Sequence, residues 1–161
     1  ASKLLPYILG GGQENNLRAG TEALPQIAAF GVAAQEGKAV QTLSMAHMRS
    51  LQELAIGRLL EEVPGVQIIG AQAPHILSVS LPGYGSEVLM NFLDRRGICV
   101  ARSSACKKGG RSHVLEAMGL SPKVIDGALR VSFSRFTTED EVNALCDGLR
   151  DARASLFPVL G

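Results

Sequence analysis

The apolar positions of this chain follow a helical period in the first third and a mixture of helical and strand periods afterwards. Apolar residues recur on one helical face from Thr21 onward, and a second helical stretch covers about 40–62, with Gly37 allowing a bend between the two. Thr21 is the predicted helix cap. Pro64-Gly65 predicts the turn that ends this helical arm. Before Thr21 the chain is loop-like, apart from a short apolar strand predicted at 5–9.

The rest of the chain predicts short strands and helices in alternation. Strands are predicted at 66–69, 76–81, 98–101 and 129–133, and helices at 86–96, 112–118, from Ser121-Pro122, and from Thr138 to about 156. At the start of the last helix, either Thr138 and Glu141 form a capping box or Thr137 caps the helix with Asp140 near the N3 position. This order predicts an α+β fold, in which a long helical arm is followed by a small domain with a mostly antiparallel sheet covered by helices.

Composition and charge narrow the functional classes. The 161 residues are 46% hydrophobic and 19% charged, with a net charge of +1. Such a chain buries one core, with or without an appended arm, and its charge gives no reason to expect nucleic acid or an acidic membrane surface as a partner. No apolar run is long enough to cross a bilayer. We therefore expect neither nucleic-acid binding nor membrane insertion.

The three cysteines fit a reducing compartment. Cys99, Cys106 and Cys146 are an odd number without paired spacing, which argues against a disulfide framework and favours the cytoplasm. No cysteine or histidine pair has the spacing of zinc ligands, so no metal is expected. Cys99 falls in an apolar strand and Cys146 in the apolar pattern of the last helix, and both are expected to be buried.

Cys106 has a different setting. It lies in a glycine- and serine-rich stretch, and Lys107, Lys108 and Arg111 follow within five positions. Neighbouring cations favour the thiolate, which is the nucleophilic form of cysteine. A reactive thiol and an incidental surface cysteine are both compatible with these residues.

Two further stretches contain candidate binding groups. The glycine-rich loop from Gly10 to Thr21 precedes a helix and contains Arg18, so it is either an anion site or a plain loop with a cap. Arg130 falls inside an apolar strand, where a buried cation needs a partner. That partner is either a protein carboxylate or the carboxylate of a ligand, which a guanidinium binds with two parallel hydrogen bonds.

Four segments, in this order, resemble the cysteine desulfurases, the NifS-like branch of the class V aminotransferases. They are GGGQENNLRAGTE at 10–22, HILSVSLPG at 75–83, SSACKKG followed by SHVLEAMGL within 103–120, and LRVSFSRFTTEDEV at 129–142. The resemblance extends from Gly10 to about Arg150. Asn15-Asn16 departs from it, because the family pattern has a basic residue and a glycine there.

The resemblance implies a reaction and roles for four residues. Cys106 corresponds to the cysteine that takes the substrate sulfur as a persulfide, and Arg130 to the arginine that binds the substrate carboxylate. Thr21 corresponds to a threonine that reaches the phosphate of pyridoxal 5'-phosphate in the partner subunit of a homodimer, and Arg18 belongs to the same motif. The implied reaction converts L-cysteine to L-alanine and passes sulfur to an acceptor or scaffold protein for iron–sulfur cluster or thio-cofactor assembly.

The resemblance also implies that this chain is a C-terminal part. The lysine that attaches the cofactor in this family lies upstream of the segment matching Gly10, so we expect the chain alone to be inactive. Residues 1–62 would be the end of the large cofactor domain, with its phosphate loop and helical arm. Residues 63–161 would be the small C-terminal domain that carries the cysteine.

Two other functions are compatible with the same residues. A selenocysteine lyase or another class V enzyme would retain the roles of Arg130 and Thr21 without requiring the thiol of Cys106. A non-catalytic sulfur carrier or interaction module would use Cys106 without the cofactor.

Overall fold

The computed structural model describes residues 4–102 and 110–158. By its internal contacts the chain forms two compact units, Ala1–Gln41 and Thr42–Gly161. The helices are α1 (Leu24–Glu62), α2 (Ser86–Asp94), α3 (His113–Ala117), α4 (Pro122–Asp126) and α5 (Glu139–Ser155), and the strands are β1 (Gln67–Gly70), β2 (Ile76–Ser80), β3 (Ala101–Arg102) and β4 (Ala128–Ser132). Within the described residues, no helix combines the length and the apolar character needed to cross a bilayer.

The first unit differs from the sequence prediction in three ways. The strand predicted at 5–9 is reduced to a single bridge, in which the Ala19 N–H donates to the Ile8 carbonyl over 3.2 Å. The first helix begins at Leu24, so Thr21 precedes it without being the cap residue. Gly37 does not interrupt α1, because one glycine costs a helix only about 1 kcal/mol and leaves its hydrogen bonds possible.

The second unit contains one antiparallel sheet of four strands in the order β1-β2-β4-β3. The predicted α+β class with an antiparallel sheet and covering helices is confirmed. β2 and β4 pair over five residues each, whereas β3 pairs with β4 through only two. The central pair is therefore the rigid part of the sheet, and β3 is a short edge.

The core lies on one face of this sheet. Alternate residues of the two central strands point into it, and residues of α1, α2 and α5 cover it. The fully buried members include Leu51, Leu59, Leu77, Val79, Leu89, Leu93, Leu129 and Val142. Each buried leucine or valine stabilises the fold by about 1.5–3 kcal/mol relative to exposure.

The predicted capping box of the last helix is confirmed. The Glu141 N–H donates to the Thr138 hydroxyl over 3.3 Å, and the Thr138 N–H donates to the Glu141 carboxylate over 2.8 Å. These bonds satisfy donors that the helix itself leaves without acceptors, so α5 begins at a defined residue and places its apolar face on the sheet.

A network of four charged side chains joins α1 to α5. Arg58 lies 2.7 Å from Glu62 and 2.9 Å from Asp147, and Arg150 lies 3.0 Å and 2.9 Å from the same two carboxylates. Hydrogen bonding to Arg58 lowers the pKa of both carboxyl groups. Their unfolded-state pKa values are higher, so the network stabilises the fold above those values and ceases to do so as the pH falls.

We expect Gly127→Ala to destabilise the protein by about 1–3 kcal/mol, as overpacking does. A Cβ at Gly127 would collide with the Leu81 carbonyl oxygen and lie 3.0 Å from that of Tyr84, and backbone atoms cannot rotate away. The matched control is Gly57→Ala in α1, where an added Cβ meets nothing within 4 Å. That control should stabilise by about 0.5–1 kcal/mol. Urea unfolding measures both, and equal effects would contradict the packing argument.

We expect the free energy of unfolding to fall with acidification from about pH 4 downward, near the unfolded pKa values of Asp and Glu. Asp147→Asn removes one of the two carboxylates held by Arg58, so the variant should lose less stability between neutral and acidic pH than the parent. Asp94→Asn, an exposed substitution at the end of α2, is the control and should keep the parental slope. Urea titrations at several pH values test this, and parallel slopes for the parent and Asp147→Asn would refute it.

Candidate functional site

The sheet face opposite the core carries a single cation in a line of small residues. The register places Gly70, Ser78, Arg130 and Ala101 side by side across all four strands, and we call this line the Arg130 row. Burial alternates along β4, so Arg130 and Ser132 point away from the core. The expectation that Arg130 is buried is therefore wrong, because it lies on the polar face of a strand whose other face is apolar.

Arg130 has no ionic partner among the described residues. No described carboxylate oxygen lies within 4.0 Å of its guanidinium group, whereas Arg58, Arg111 and Arg150 all form such pairs. A structural ion pair was one of the two roles predicted for this residue, and the described residues provide none. The other role, binding of a ligand carboxylate, stays a prediction.

The boundary between the Arg130 row and the rest of this face is formed by α3 and α4. Leu115 and Ile125 pack on Ala128, which lies two residues before Arg130 on the same face of β4. The neighbouring Ser80 is fully buried, and its hydroxyl donates to the Val124 carbonyl over 2.7 Å. This second, smaller core covers one end of the face and leaves the Arg130 row beyond its edge.

Two ion pairs hold the chain on either side of residues 103–109. Arg102, the last residue of β3, lies 3.8 Å from Glu87 in the first turn of α2. On the other side, two nitrogens of Arg111 donate to the two oxygens of Asp126 over 2.7 Å and 2.6 Å. The Arg111 guanidinium lowers the pKa of the Asp126 carboxyl. Cys106, Lys107 and Lys108 are outside the described residues, and the prediction of a reactive thiolate stays a prediction.

Of the other two cysteines, which were both expected to be buried, only one is. Cys146 is buried as expected; its thiol lies 3.9 Å from the Ala55 carbonyl oxygen, and burial raises its pKa to about 11. Cys99 is exposed, contrary to expectation. The flanking Ile98 and Val100 pack against the core, and alternation directs Cys99 outward.

A cavity of about 350 Å³ borders Cys99, and no sequence pattern predicted it. It opens because the strand predicted at 98–101 forms only as Ala101–Arg102, which leaves the end of β4 without a neighbour on that side. Polar residues at its rim include Arg96, Ser132, Thr137 and Glu141. Nowhere in the described ranges do three or more His, Cys, Asp or Glu side chains gather as metal ligands would.

The glycine-rich loop of the first unit has the donors that a phosphate requires. Arg18 and Thr21 are exposed, and Thr21 lies three residues before the start of α1, whose amino terminus favours an anion. Arg18 makes a long 3.5 Å contact to the Gly20 carbonyl, and Gly20 has a φ of +111° that only glycine adopts readily. The Gly20 N–H donates to Gln13 over 3.4 Å, which closes the loop. A hydroxyl and a guanidinium are groups that bind phosphate, so these residues fit one. In this structure the polar contacts given for Arg18 and Gly20 are made within the loop.

Asn15 and Asn16 have positive φ values of 54° and 64° in this loop. Asparagine tolerates this left-handed conformation better than most residues, which accounts for the pair at a place where the family pattern has a basic residue and a glycine.

The chain is similar to proteins of one family. Residues 7–145 match the family model for class V aminotransferases. Cysteine desulfurase 2 of Trichormus variabilis is 33% identical over 143 residues, which are 86% of this chain and 36% of that protein. A cysteine desulfurase of Sinorhizobium fredii is 36% identical over 141 residues, 84% of this chain and 36% of that protein.

Solved structures agree. A NifS-like protein superposes with a TM-score of 0.79 at 31% identity and covers 94% of this chain. The NifS-like protein from Rickettsia africae also gives 0.79, at 27% identity, and covers 93% of this chain. The chain spans 39% and 40% of these two proteins, so it corresponds to less than half of each.

We expect Asp126→Asn to loosen the segment that follows residue 109, around Ser112 and the start of α3. The neutral amide cannot form the charge-assisted pair with Arg111, so amide hydrogens around Ser112 and α3 should exchange faster, by up to about fivefold for a surface pair. Glu116→Gln is the control, since it removes a nearby exposed charge without breaking the pair. Hydrogen exchange followed by mass spectrometry compares them, and equal rates in parent and Asp126→Asn would contradict an anchoring role.

Proposed function

This chain belongs to the class V aminotransferase family, and we propose on that basis that it acts as the C-terminal part of a cysteine desulfurase. The reaction converts L-cysteine to L-alanine and leaves the sulfur on Cys106 as a persulfide, from which an acceptor protein takes it. The observation that carries this proposal is Arg130, an outward-facing guanidinium without a described ionic partner, in a row of small residues.

Arg130 is suited to orient the substrate. A guanidinium binds a carboxylate through two parallel hydrogen bonds, which fix the direction as well as the position of the bound group. Because β4 pairs with β2 over five residues, the Cα of Arg130 is held in the most rigid part of the sheet. A substrate whose carboxylate is held there has its sulfur restricted to a small volume, and this restriction lowers the entropic cost of the reaction.

The position of Cys106 along the chain is compatible with attack at this place. Cys106 lies four residues after Arg102, and four residues extend to about 14 Å at most. Ala101, the preceding residue, is paired directly with Arg130. Covalent connectivity therefore tethers the thiol to the strand next to the proposed carboxylate site.

The sulfur transfer balances without an external oxidant. The Cys106 thiolate attacks the substrate sulfur, a sulfur–sulfur bond forms, and the substrate carbon–sulfur bond breaks. The electron pair of the broken bond stays with the carbon, which takes up a proton to give alanine. The cationic residues that follow Cys106 in the sequence, Lys107 and Lys108, favour the thiolate form that this attack requires.

Pyridoxal 5'-phosphate is the cofactor of this family, and when bound it withdraws electrons from the substrate α-carbon. Thr21 and Arg18 would hold its phosphate through a hydroxyl and a guanidinium. We propose that they do so across a homodimer. In support, the described part of the first unit exposes large apolar residues of α1, among them Leu24, Ile27 and Phe30, as a surface that is covered in an assembly does.

Replacement of Cys106 by serine tests the proposal in the cofactor-loaded enzyme that carries this chain. We expect alanine formation from L-cysteine to fall by at least about a thousandfold, since the hydroxyl is a far poorer nucleophile toward sulfur. The matched control is Cys99→Ser, which removes an exposed thiol only seven positions away and should keep parental activity.

Two readouts decide the outcome. Alanine is quantified after reaction with L-cysteine, and intact-mass measurement detects a gain of one sulfur atom on the parent and on Cys99→Ser. Undiminished alanine formation by Cys106→Ser would overturn the proposal. If that variant still released alanine from L-selenocysteine alone, the enzyme would instead be a selenocysteine lyase.

A further inference from the structure

The Arg130 row has small side chains on both sides of its cation. Gly70, Ser78 and Ala101 occupy the other three strands, so no large residue shares this line with Arg130. The pattern is local: in the next line along the face, Ser132 lies opposite Ile76. On the β1 side the amide of Gln72 lies next to Gly70, so the space that small residues leave open is the part of the row beside the guanidinium, at Ser78 and Ala101.

Hydrogen-bond directions show which neighbour lies closest to Arg130. The Phe133 N–H donates to the His75 carbonyl over 2.9 Å, and the Leu81 N–H donates to the Gly127 carbonyl over 3.2 Å, so odd-numbered positions of this strand bond toward β2. Arg130, an even-numbered position, bonds toward β3. Its pair with Ser78 is thus the non-hydrogen-bonded kind, in which facing Cα atoms are about 4.5 Å apart and side chains are closest.

The opposite neighbour is more distant but still adjacent. Ala101 and Arg130 form the hydrogen-bonded kind of pair, with Cα atoms about 5.5 Å apart. Any side chain larger than serine or alanine at position 78 or 101 would project into the space next to the guanidinium. Both positions are half-buried, so an added methyl group cannot simply turn into solvent.

We infer that Ser78 and Ala101 keep Arg130 accessible to substrate, by leaving a recess in which the carboxylate of a small amino acid reaches the guanidinium. This inference rests on the proposed function and extends it: the residues act by their small volume. The hydroxyl of Ser78 is not required for it. Neither Ser78 nor Ala101 is assigned a step in the proposed sulfur transfer, so we expect both to act on binding.

Four variants of the cofactor-loaded enzyme separate size from chemistry. Ser78→Val and Ala101→Val add volume with a side chain that strands accommodate well. Ser78→Ala removes the hydroxyl without adding volume. Ser132→Val adds volume on the same face and strand as Arg130, outside the row, and is the matched control.

We expect the KM for L-cysteine to rise about tenfold in Ser78→Val and Ala101→Val, as when a binding pocket loses room for about one methyl group. The kcat should stay within about twofold, and the inhibition constant of the product L-alanine should rise in parallel with KM. Ser78→Ala and Ser132→Val should keep the parental KM. Thermal melting checks that all four variants are folded.

The outcomes distinguish this inference from the proposed function. Parental KM and L-alanine inhibition in both enlarged variants would overturn the inference and leave the desulfurase proposal standing. A raised KM in Ser78→Ala would also overturn it, since the hydroxyl would then be the contributing group. Absence of alanine formation by the parent enzyme would instead overturn the proposed function.

Discussion

The packing of one sheet face onto α1, α2 and α5 is the interaction on which the rest of the structure depends. Leu77, Val79, Leu129 and Val131 alternate into that core, and each contributes about 1.5–3 kcal/mol by burial. A shift of β4 by one residue would expose its apolar set and bury Arg130 without a partner. The register is therefore determined by hydrophobic burial, and the outward position of Arg130 follows from it.

The same constraint explains why Arg130 is held more firmly than Arg102 and Arg111, the residues that flank the segment 103–109. Moving Arg130 would require breaking the β2–β4 pairing and its buried side chains. The Arg102–Glu87 and Arg111–Asp126 pairs are partly exposed, and such pairs contribute little because solvent screens them. Arg130, the proposed carboxylate-binding group, is thus on the rigid part of the sheet, whereas the described residues on either side of the segment that carries Cys106 are held by weak ion pairs.

Much of this fold was predictable because its signals are local. The strand alternation at 76–81, the Pro64-Gly65 turn and the Thr138 capping box each depend on a few adjacent residues, and all appear near the predicted positions. Arg130 was also singled out in the sequence, but its exposed position was not predicted. An apolar strand with one cation is compatible with both faces until the pairing partners and the core side are known.

The failures share a physical origin in tertiary context. The sequence 98–101 has the β-branched residues of a strand, yet only Ala101–Arg102 pairs, because Ile98 and Val100 pack against the core ahead of the ladder. Cys99 consequently faces outward, and the adjoining cavity has no sequence signature. The Arg130 row was equally hidden, since Gly70, Ser78, Arg130 and Ala101 come from four separate segments and become neighbours only through the register.

That row shows how a sheet can keep the space beside a proposed binding group open without any conspicuous sequence motif. Small residues at positions 70, 78 and 101 contribute little to the core, and Gly70 weakens its own strand because glycine has more backbone entropy to lose. Larger β-branched residues would favour strand formation at each of these positions. Small side chains at these positions therefore lower the intrinsic stability of the strands. They also leave the space beside the guanidinium of Arg130 open to a ligand carboxylate.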